Sequence, residues 1–185
     1  DQYMYPLYKQ GIENGTLTRE FAQELLDCIW VKLNDLNKAR DAASAEGFAG
    51  YSLFQNLCAG GQTKEGIDAT NDLSFLCIQA SMHTRLPAPS FSVRVWNGTP
   101  NEFLVKCAEL TRTGVGLPAY YNDEVIIPSL MSRGVSLEDA RDYNIIGCVE
   151  PQAPHKTHGW HDAAFFNMLR PVELVFSNGM DEGVQ

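Results

Sequence analysis

The stretch from Asn144 to Phe166, NIIGCVEPQAPHKTHGWHDAAFF, holds one cysteine, two carboxylates and three histidines between apolar residues. Cys148 and Glu150 stand two apart. If the segment is extended, side chains alternate and both point to one surface. A cysteine nucleophile attacks as the thiolate and gains from nearby positive charge. Glu150 is negative, and a carboxylate on the same face holds the thiol protonated. The pair is therefore wrong for a simple thiol protease and suits a cysteine that donates and accepts hydrogen atoms. The plainer alternative is a buried cysteine beside an ordinary surface glutamate, and the local pattern leaves both open.

His155, His158 and His161 invite a metal reading with Cys148 or Asp162. On a helix the outer pair diverges from one face, and Pro154 makes the start irregular. Zinc sites more often show tighter pairs, so His155 and His158 are read as loop histidines, while His161 stands with Asp162. Asp162 lies at the entry to an apolar helix. It is either a first-turn acid favoured by the helix dipole or a fixed carboxylate facing the pocket of Glu150. Phe54 is either core packing or an apolar wall beside a substrate.

These residues sit in a chain of 185, enough for one ordinary domain with a real core. Hydrophobic content of 44% with 20% charged residues is globular in character. A net charge of -9 argues against a nucleic-acid surface. No apolar run approaches the roughly 20 residues of a membrane helix. The opening DQYMYPLYKQ has no initiator Met and no signal-peptide pattern, so the chain is expected to be an internal piece of a longer protein. Five scattered cysteines without a C-x-x-C fit a reducing cytoplasm and no disulfide scaffold. Cys28, Cys77 and Cys107 lie among apolar helical residues and are expected to fill the core.

The elements that must position the site follow from periodicity and caps. Thr18 caps a helix to about Arg40, with Phe21, Leu25, Ile29, Leu33 and Leu36 as its apolar positions. Residues 39–50 are expected as a loop, and 51–57 as a strand entering the turn Gly60-Gly61. Residues 68–71 cap an apolar helix to about Met82. Residues 91–96 alternate, giving a strand with Ser92 and Arg94 on its polar face. Thr99 to Glu102 is a capping box for a helix ending near Gly114. Residues 118–122 are extended, 123–133 helical, and Ser136 opens another short helix. Residues 143–150 are predicted as one strand, and 163–177 as a helix bent or restarted at Pro171. Alternating strands and helices imply an α/β protein with crossover connections.

The run GCVEPQ, followed by GWHDAAFFN, resembles the active-site cysteine loop of glycyl radical enzymes. FAGYSLFQNLCAGGQT, DATNDLSFLCIQA and LPAYYNDEVI are similar to upstream barrel segments of that family, so the resemblance spans nearly the whole chain. A single cysteine in a Cys-x-Glu form resembles the dehydratase and lyase branches, above all the B12-independent glycerol and 1,2-propanediol dehydratases. Phe165 stands where choline trimethylamine-lyases carry tyrosine.

The resemblance implies part of a ten-stranded, pyruvate formate-lyase-like barrel wrapped by helices, with the cysteine loop inside and the C-terminal glycine radical domain outside this chain. It implies Cys148 as the transient thiyl radical and Glu150 as base on the substrate hydroxyl. Asp162, Phe54 and Phe165 would bind substrate, with no metal or bound cofactor in this segment. The parent would carry a glycyl radical installed by a radical-SAM activating enzyme. It would work anaerobically in the cytoplasm as a homodimer, on a small diol, without nucleic acid or membrane. Radical C–N, C–C or C–S lyases and a non-catalytic domain of the same shape are the alternatives.

Overall fold

The structure, a computed structural model, describes residues 1–36, 41–48, 55–157 and 166–180. Three strands, β1 (Asn56–Gly60), β2 (Ser90–Val95) and β3 (Ala119–Asn122), form a parallel sheet in that order. Helices α4 (Asp72–Thr84) and α5 (Asn101–Arg112) make the two crossovers, as the alternation of strand and helix signals predicts. Helices α1 (Tyr5–Glu13), α2 (Arg19–Asp35) and α3 (Ala42–Phe48) precede the sheet. Helices α6 (Asp123–Ser132) and α7 (Leu137–Arg141) follow it and lead into an antiparallel hairpin, β4 (Asn144–Ile146) and β5 (Glu150–Gln152). Helix α8 (Arg170–Phe176) is the last described element.

Register gives the sheet two different faces. Pairings Leu57↔Phe91, Ala59↔Val93 and Val93↔Tyr120 put one apolar set on the same side. Ala59, Phe91 and Val93 pack there with Ile78 of α4 and Phe103 and Leu110 of α5 in the main core. Each such fully buried large side chain contributes about 1.5–3 kcal/mol. The opposite face carries Asn56, Cys58, Ser92, Arg94 and Tyr121, through Cys58↔Ser92 and Arg94↔Tyr121. It is covered by a second cluster, in which Cys58 and Tyr121 pack against Ile127, Leu130, Ala140, Tyr143 and Ile145. The polar face of β2 is thus buried rather than solvated.

Helix α4 is buried on nearly every side because it lies between the sheet and α2. Asn71 caps it, its Oδ1 accepting from Leu73 N–H at 3.0 Å, while Ser74 Oγ accepts from Asn71 N–H at 3.0 Å. Thr18 caps α2 through Phe21 N–H at 3.2 Å. The face of α2 differs from expectation. Ala22, Leu26 and Trp30 are 5%, 7% and 1% exposed, whereas Phe21, Leu25 and Ile29 are 49%, 44% and 39% exposed. Two apolar stripes run side by side on this helix, and packing on α4 selects the one with the tryptophan. Trp30 stacks at a tilt on Phe91 and donates from Nε1 to Ser81 Oγ at 2.8 Å. Cys28 is on the outer side and exposed, not core, while Cys77 and Cys107 are buried as expected.

Other departures are local. Within the span expected as a loop, α3 forms, with Asp41 Oδ1 accepting from Ser44 N–H at 3.0 Å. Residues 51–54 of the expected strand lie outside the described residues; β1 runs past Leu57 to Gly60, and Gly60 and Gly61 both take positive φ, +76° and +82°. Thr99 makes no capping box: its Oγ1 accepts from Trp96 N–H at 2.9 Å, and Pro100 takes the cap position. Helix α8 begins at Arg170 with Pro171 in its first turn, which is the restart alternative and not the bend; residues 166–169 before it are not helical, and 163–165 lie outside the described residues. Among the described residues, no helix is long and apolar enough to cross a membrane.

Candidate active site

Cys148 does not lie on a continuous strand. Ile146 pairs with Glu150, so Gly147, Cys148 and Val149 form a three-residue hairpin loop. The single strand expected over 143–150 reverses because Gly147 takes φ +62°, a left-handed conformation that glycine adopts without strain. Cys148 is exposed at the loop tip. Glu150, two residues on, does not follow strand alternation. Its carboxylate folds back over the loop, Oε2 accepting from Val149 N–H at 2.9 Å. A Cβ on Gly147 would stand 2.9 Å from that same Oε2. The glycine therefore permits both the turn and the folded-back carboxylate.

The polar sheet face holds this loop from below. Asn56 Nδ2 donates to the Gly147 carbonyl at 3.1 Å, and Tyr121 O–H donates to the Cys148 carbonyl at 3.1 Å. Ser92 O–H donates to Asn56 Oδ1 at 2.8 Å. Burial raises the pKa of the Tyr121 phenol, and the neighbouring Ser92 hydroxyl lowers it in part.

Deeper on that face, Arg94 donates from Nε and Nη2 to both carboxylate oxygens of Asp123, at 3.0 and 2.9 Å. Two of its three remaining hydrogens reach the Tyr143 carbonyl at 3.0 Å and the Arg141 carbonyl at 2.8 Å. Tyr143 O–H donates to Asp123 Oδ1 at 2.7 Å, and its ring lies 3.9 Å under the guanidinium. Burial works against the Arg94 charge, but bonding to Asp123 and its negative charge outweigh that and raise the guanidinium pKa. Burial pushes the Tyr143 phenol well up. This network fixes the residues that enter β4. Gly61 leaves room for it, since a Cβ there would stand 2.6 Å from Arg94 Nε.

Cys58 belongs to the same face, but desolvation pushes its thiol up to about 11, against the opposing charge of Arg94. It stays a thiol at neutral pH. A cavity of about 380 Å³ opens beside it, lined by Asp1, Arg94, Tyr143, Asn144 and His155 among others. Neither Cys148 nor Glu150 lines it.

Cys148 and Glu150 thus lie on one hairpin, with the Glu150 carboxylate bonded to the peptide that follows the cysteine. Phe54, Asp162 and Phe165 lie outside the described residues, as do His158 and His161. His155 is exposed in a turn after β5, with φ +61°. Among the described residues, no group of three or more His, Cys, Asp or Glu could hold a metal ion. Asn56, Ser92, Tyr121 and the Arg94–Asp123 pair were not singled out as site residues by sequence pattern. The one available signal was the polar alternation Ser92/Arg94 on β2.

Residues 1–185 match the family described as pyruvate formate lyase-like. A (2S)-3-sulfopropanediol dehydratase from Klebsiella oxytoca is 41% identical over 184 residues, covering 97% of this chain and 22% of its own length. A structure concerned with 1,2-propanediol dehydration in Roseburia inulinivorans superposes with a TM-score of 0.91 at 72% identity, covering all of this chain and 23% of that one. The glycerol-bound B12-independent glycerol dehydratase from Clostridium butyricum follows at 0.89 and 62%, with the same coverage of 100% and 23%. The chain therefore spans about a quarter of the length of these relatives. With the match running from first residue to last, and a Cys-x-Glu hairpin on a parallel α/β sheet, the chain belongs to the pyruvate formate lyase-like family.

Proposed function

We propose that this chain is the cysteine-loop segment of a glycyl radical dehydratase that converts a small 1,2-diol, glycerol or propane-1,2-diol, to an aldehyde and water. The observation that carries the reading is the three-residue loop with Cys148 at its tip, onto whose following peptide the Glu150 carboxylate folds back. The 72% and 62% identities to structures concerned with 1,2-propanediol and glycerol dehydration support the substrate class.

A glycyl radical, installed in the parent by a radical-SAM activating enzyme, would supply the oxidising equivalent by taking the thiol hydrogen. Cys148 sulfur then removes a hydrogen atom from the hydroxyl-bearing carbon of the diol. Glu150 takes the proton of that hydroxyl, the adjacent C–O bond breaks, and the departing hydroxide leaves as water with that proton. The resulting carbonyl radical recovers its hydrogen atom from the Cys148 thiol. The net change is loss of one water. Glu150 works here as a positioned base, a role worth about 10²–10⁴-fold in rate.

Asp162 would hydrogen-bond the diol, with Phe54 and Phe165 forming apolar pocket wall. On the same reading the three parallel strands are part of a ten-stranded barrel, and the parent is an anaerobic, cytoplasmic homodimer. The test is aldehyde formation from both diols by the activated full-length protein. Cys148→Ser should abolish turnover, and Glu150→Gln should cut kcat about 10²-fold or more. Turnover that survives either substitution unchanged overturns the mechanism.

A further inference from the structure

The cysteine loop sits on a hairpin of three paired residues per strand. Such a ribbon is marginal by itself, yet hydrogen-atom transfer demands a fixed sulfur. Position depends on the two peptide planes that flank Cys148. One carries the Gly147 carbonyl and the Cys148 N–H; the other carries the Cys148 carbonyl and the Val149 N–H. Each peptide is planar, so anchoring both planes fixes φ and ψ of Cys148 and leaves its sulfur only rotation about χ1.

Both planes are anchored. Asn56 Nδ2 holds the first through the Gly147 carbonyl at 3.1 Å. Tyr121 O–H holds the second through the Cys148 carbonyl at 3.1 Å. The other end of that second plane, Val149 N–H, donates to Glu150 Oε2 at 2.9 Å. One peptide unit therefore links Tyr121 on one side to the Glu150 carboxylate on the other. Ser92, fully buried, donates to Asn56 Oδ1 at 2.8 Å and orients the amide so that its NH₂ faces the loop. Each strand of the parallel sheet contributes one residue: Asn56 from β1, Ser92 from β2 and Tyr121 from β3.

We propose that Asn56, Ser92 and Tyr121 are positioning residues that clamp the two peptide planes around Cys148 and, through the second plane, set the Glu150 carboxylate. The kinetic part of this proposal rests on the dehydratase reading; the geometric part does not. Misplacing a reacting group by about 1 Å can cost about 10²-fold in rate.

The test uses the full-length protein with Tyr121→Phe, Asn56→Ala and Ser92→Ala. Tyr121→Phe keeps the ring and removes only the donor. Two readouts are taken. In unactivated protein, amide exchange across residues 144–152, followed by mass spectrometry, should quicken about tenfold in Tyr121→Phe and Asn56→Ala. In activated protein, radical content by electron paramagnetic resonance should match wild type, while kcat falls about 10–100-fold and KM changes less than about twofold. Ser92→Ala should quicken exchange in the same direction as Asn56→Ala, because the Ser92 hydroxyl orients that amide. Wild-type exchange in both Tyr121→Phe and Asn56→Ala overturns the clamp, whatever the substrate. Quickened exchange with no diol turnover even in wild type leaves the clamp standing and overturns the dehydratase reading instead. Should Asn56→Ala fail to fold, Tyr121→Phe and Ser92→Ala decide by the same readouts.

Discussion

Arg94 and Asp123 meet in a two-pronged pair, at 3.0 and 2.9 Å, with 3% and 0% of their surfaces exposed. The planar guanidinium matches the carboxylate fork, and two further guanidinium hydrogens bond the carbonyls of Arg141 and Tyr143. Breaking one side leaves a buried charge without its counterpart, which costs about 3–5 kcal/mol. Asp123→Ala in the full-length protein is therefore expected to lower the thermal unfolding midpoint sharply or to abolish soluble expression. Tyr143→Phe, which keeps the ring under the guanidinium and removes one bond to Asp123, should cost about 1.5–3 kcal/mol. Calorimetry of the two variants checks the order; equal, small effects would contradict it.

Gly147 offers a separable test of the loop. Its φ of +62° makes any side chain strained, by about 1–2 kcal/mol for alanine. Here the new Cβ would also press on Glu150 Oε2 from 2.9 Å. Gly134, between α6 and α7, has φ +89° but nothing within 4 Å of an added Cβ. Gly134→Ala should carry the strain alone, and Gly147→Ala the strain plus a displaced carboxylate. Similar losses in unfolding midpoint are expected for both. Only Gly147→Ala should depress turnover, by about 10²-fold, as seen in kcat at matched radical content.

The parts of the fold with local chemical signals were legible from the residues. Asn71, Thr18 and Ser136 cap their helices, and the alternation over Phe91 to Val95 is a strand. The hairpin was not legible, because Ile145 and Ile146 before Cys148 read the same in one strand or at the start of two. Only the pairing Ile146↔Glu150 distinguishes them. The alternation that would put Cys148 and Glu150 on one strand face does not hold: Cys148 stands at the loop tip, and the carboxylate turns back onto the Val149 N–H. On α2 two adjacent apolar stripes compete, and the choice is made by Trp30 seating on Phe91 and Ser81, far away in sequence. The clamp escaped for the same reason. Asn56, Ser92 and Tyr121 are ordinary strand residues until the register of three strands brings them under one loop.

Alkaline pH should expose the buried thiols. Burial pushes Cys77 up to about 11 and Cys107 up to about 12, from about 9 for an unburied thiol. Below pH 9 both folded and unfolded chains keep these protons, and stability does not depend on them. Above 9 the unfolded chain loses them while the folded chain retains them, so the unfolded state is favoured as pH rises. Each thiol contributes a decline of about 1.4 kcal/mol per pH unit, ending at its folded pKa. Denaturant titrations between pH 8.5 and 10.5 should show stability falling, and Cys107→Ala should flatten the slope by about one thiol's share. An unchanged slope in that variant would sink the assignment.

Trp30 and Ser81 meet in a buried side-chain hydrogen bond between α2 and α4. The indole is 1% exposed and its N–H has Ser81 Oγ at 2.8 Å as partner. Ser81 lies on α4, so the bond ties α2 to the central helix where aromatic and aliphatic contacts have no direction of their own. Ser81→Ala removes the acceptor and leaves a buried donor unmatched, at a cost of about 1–3 kcal/mol. Trp30→Phe loses part of the ring but also removes the donor, so Ser81→Ala added to it should cost far less than in the wild-type background. A double-mutant cycle on unfolding free energies isolates that difference. Coupling near zero would mean that shape alone, and not this bond, selects the tryptophan stripe over Phe21, Leu25 and Ile29.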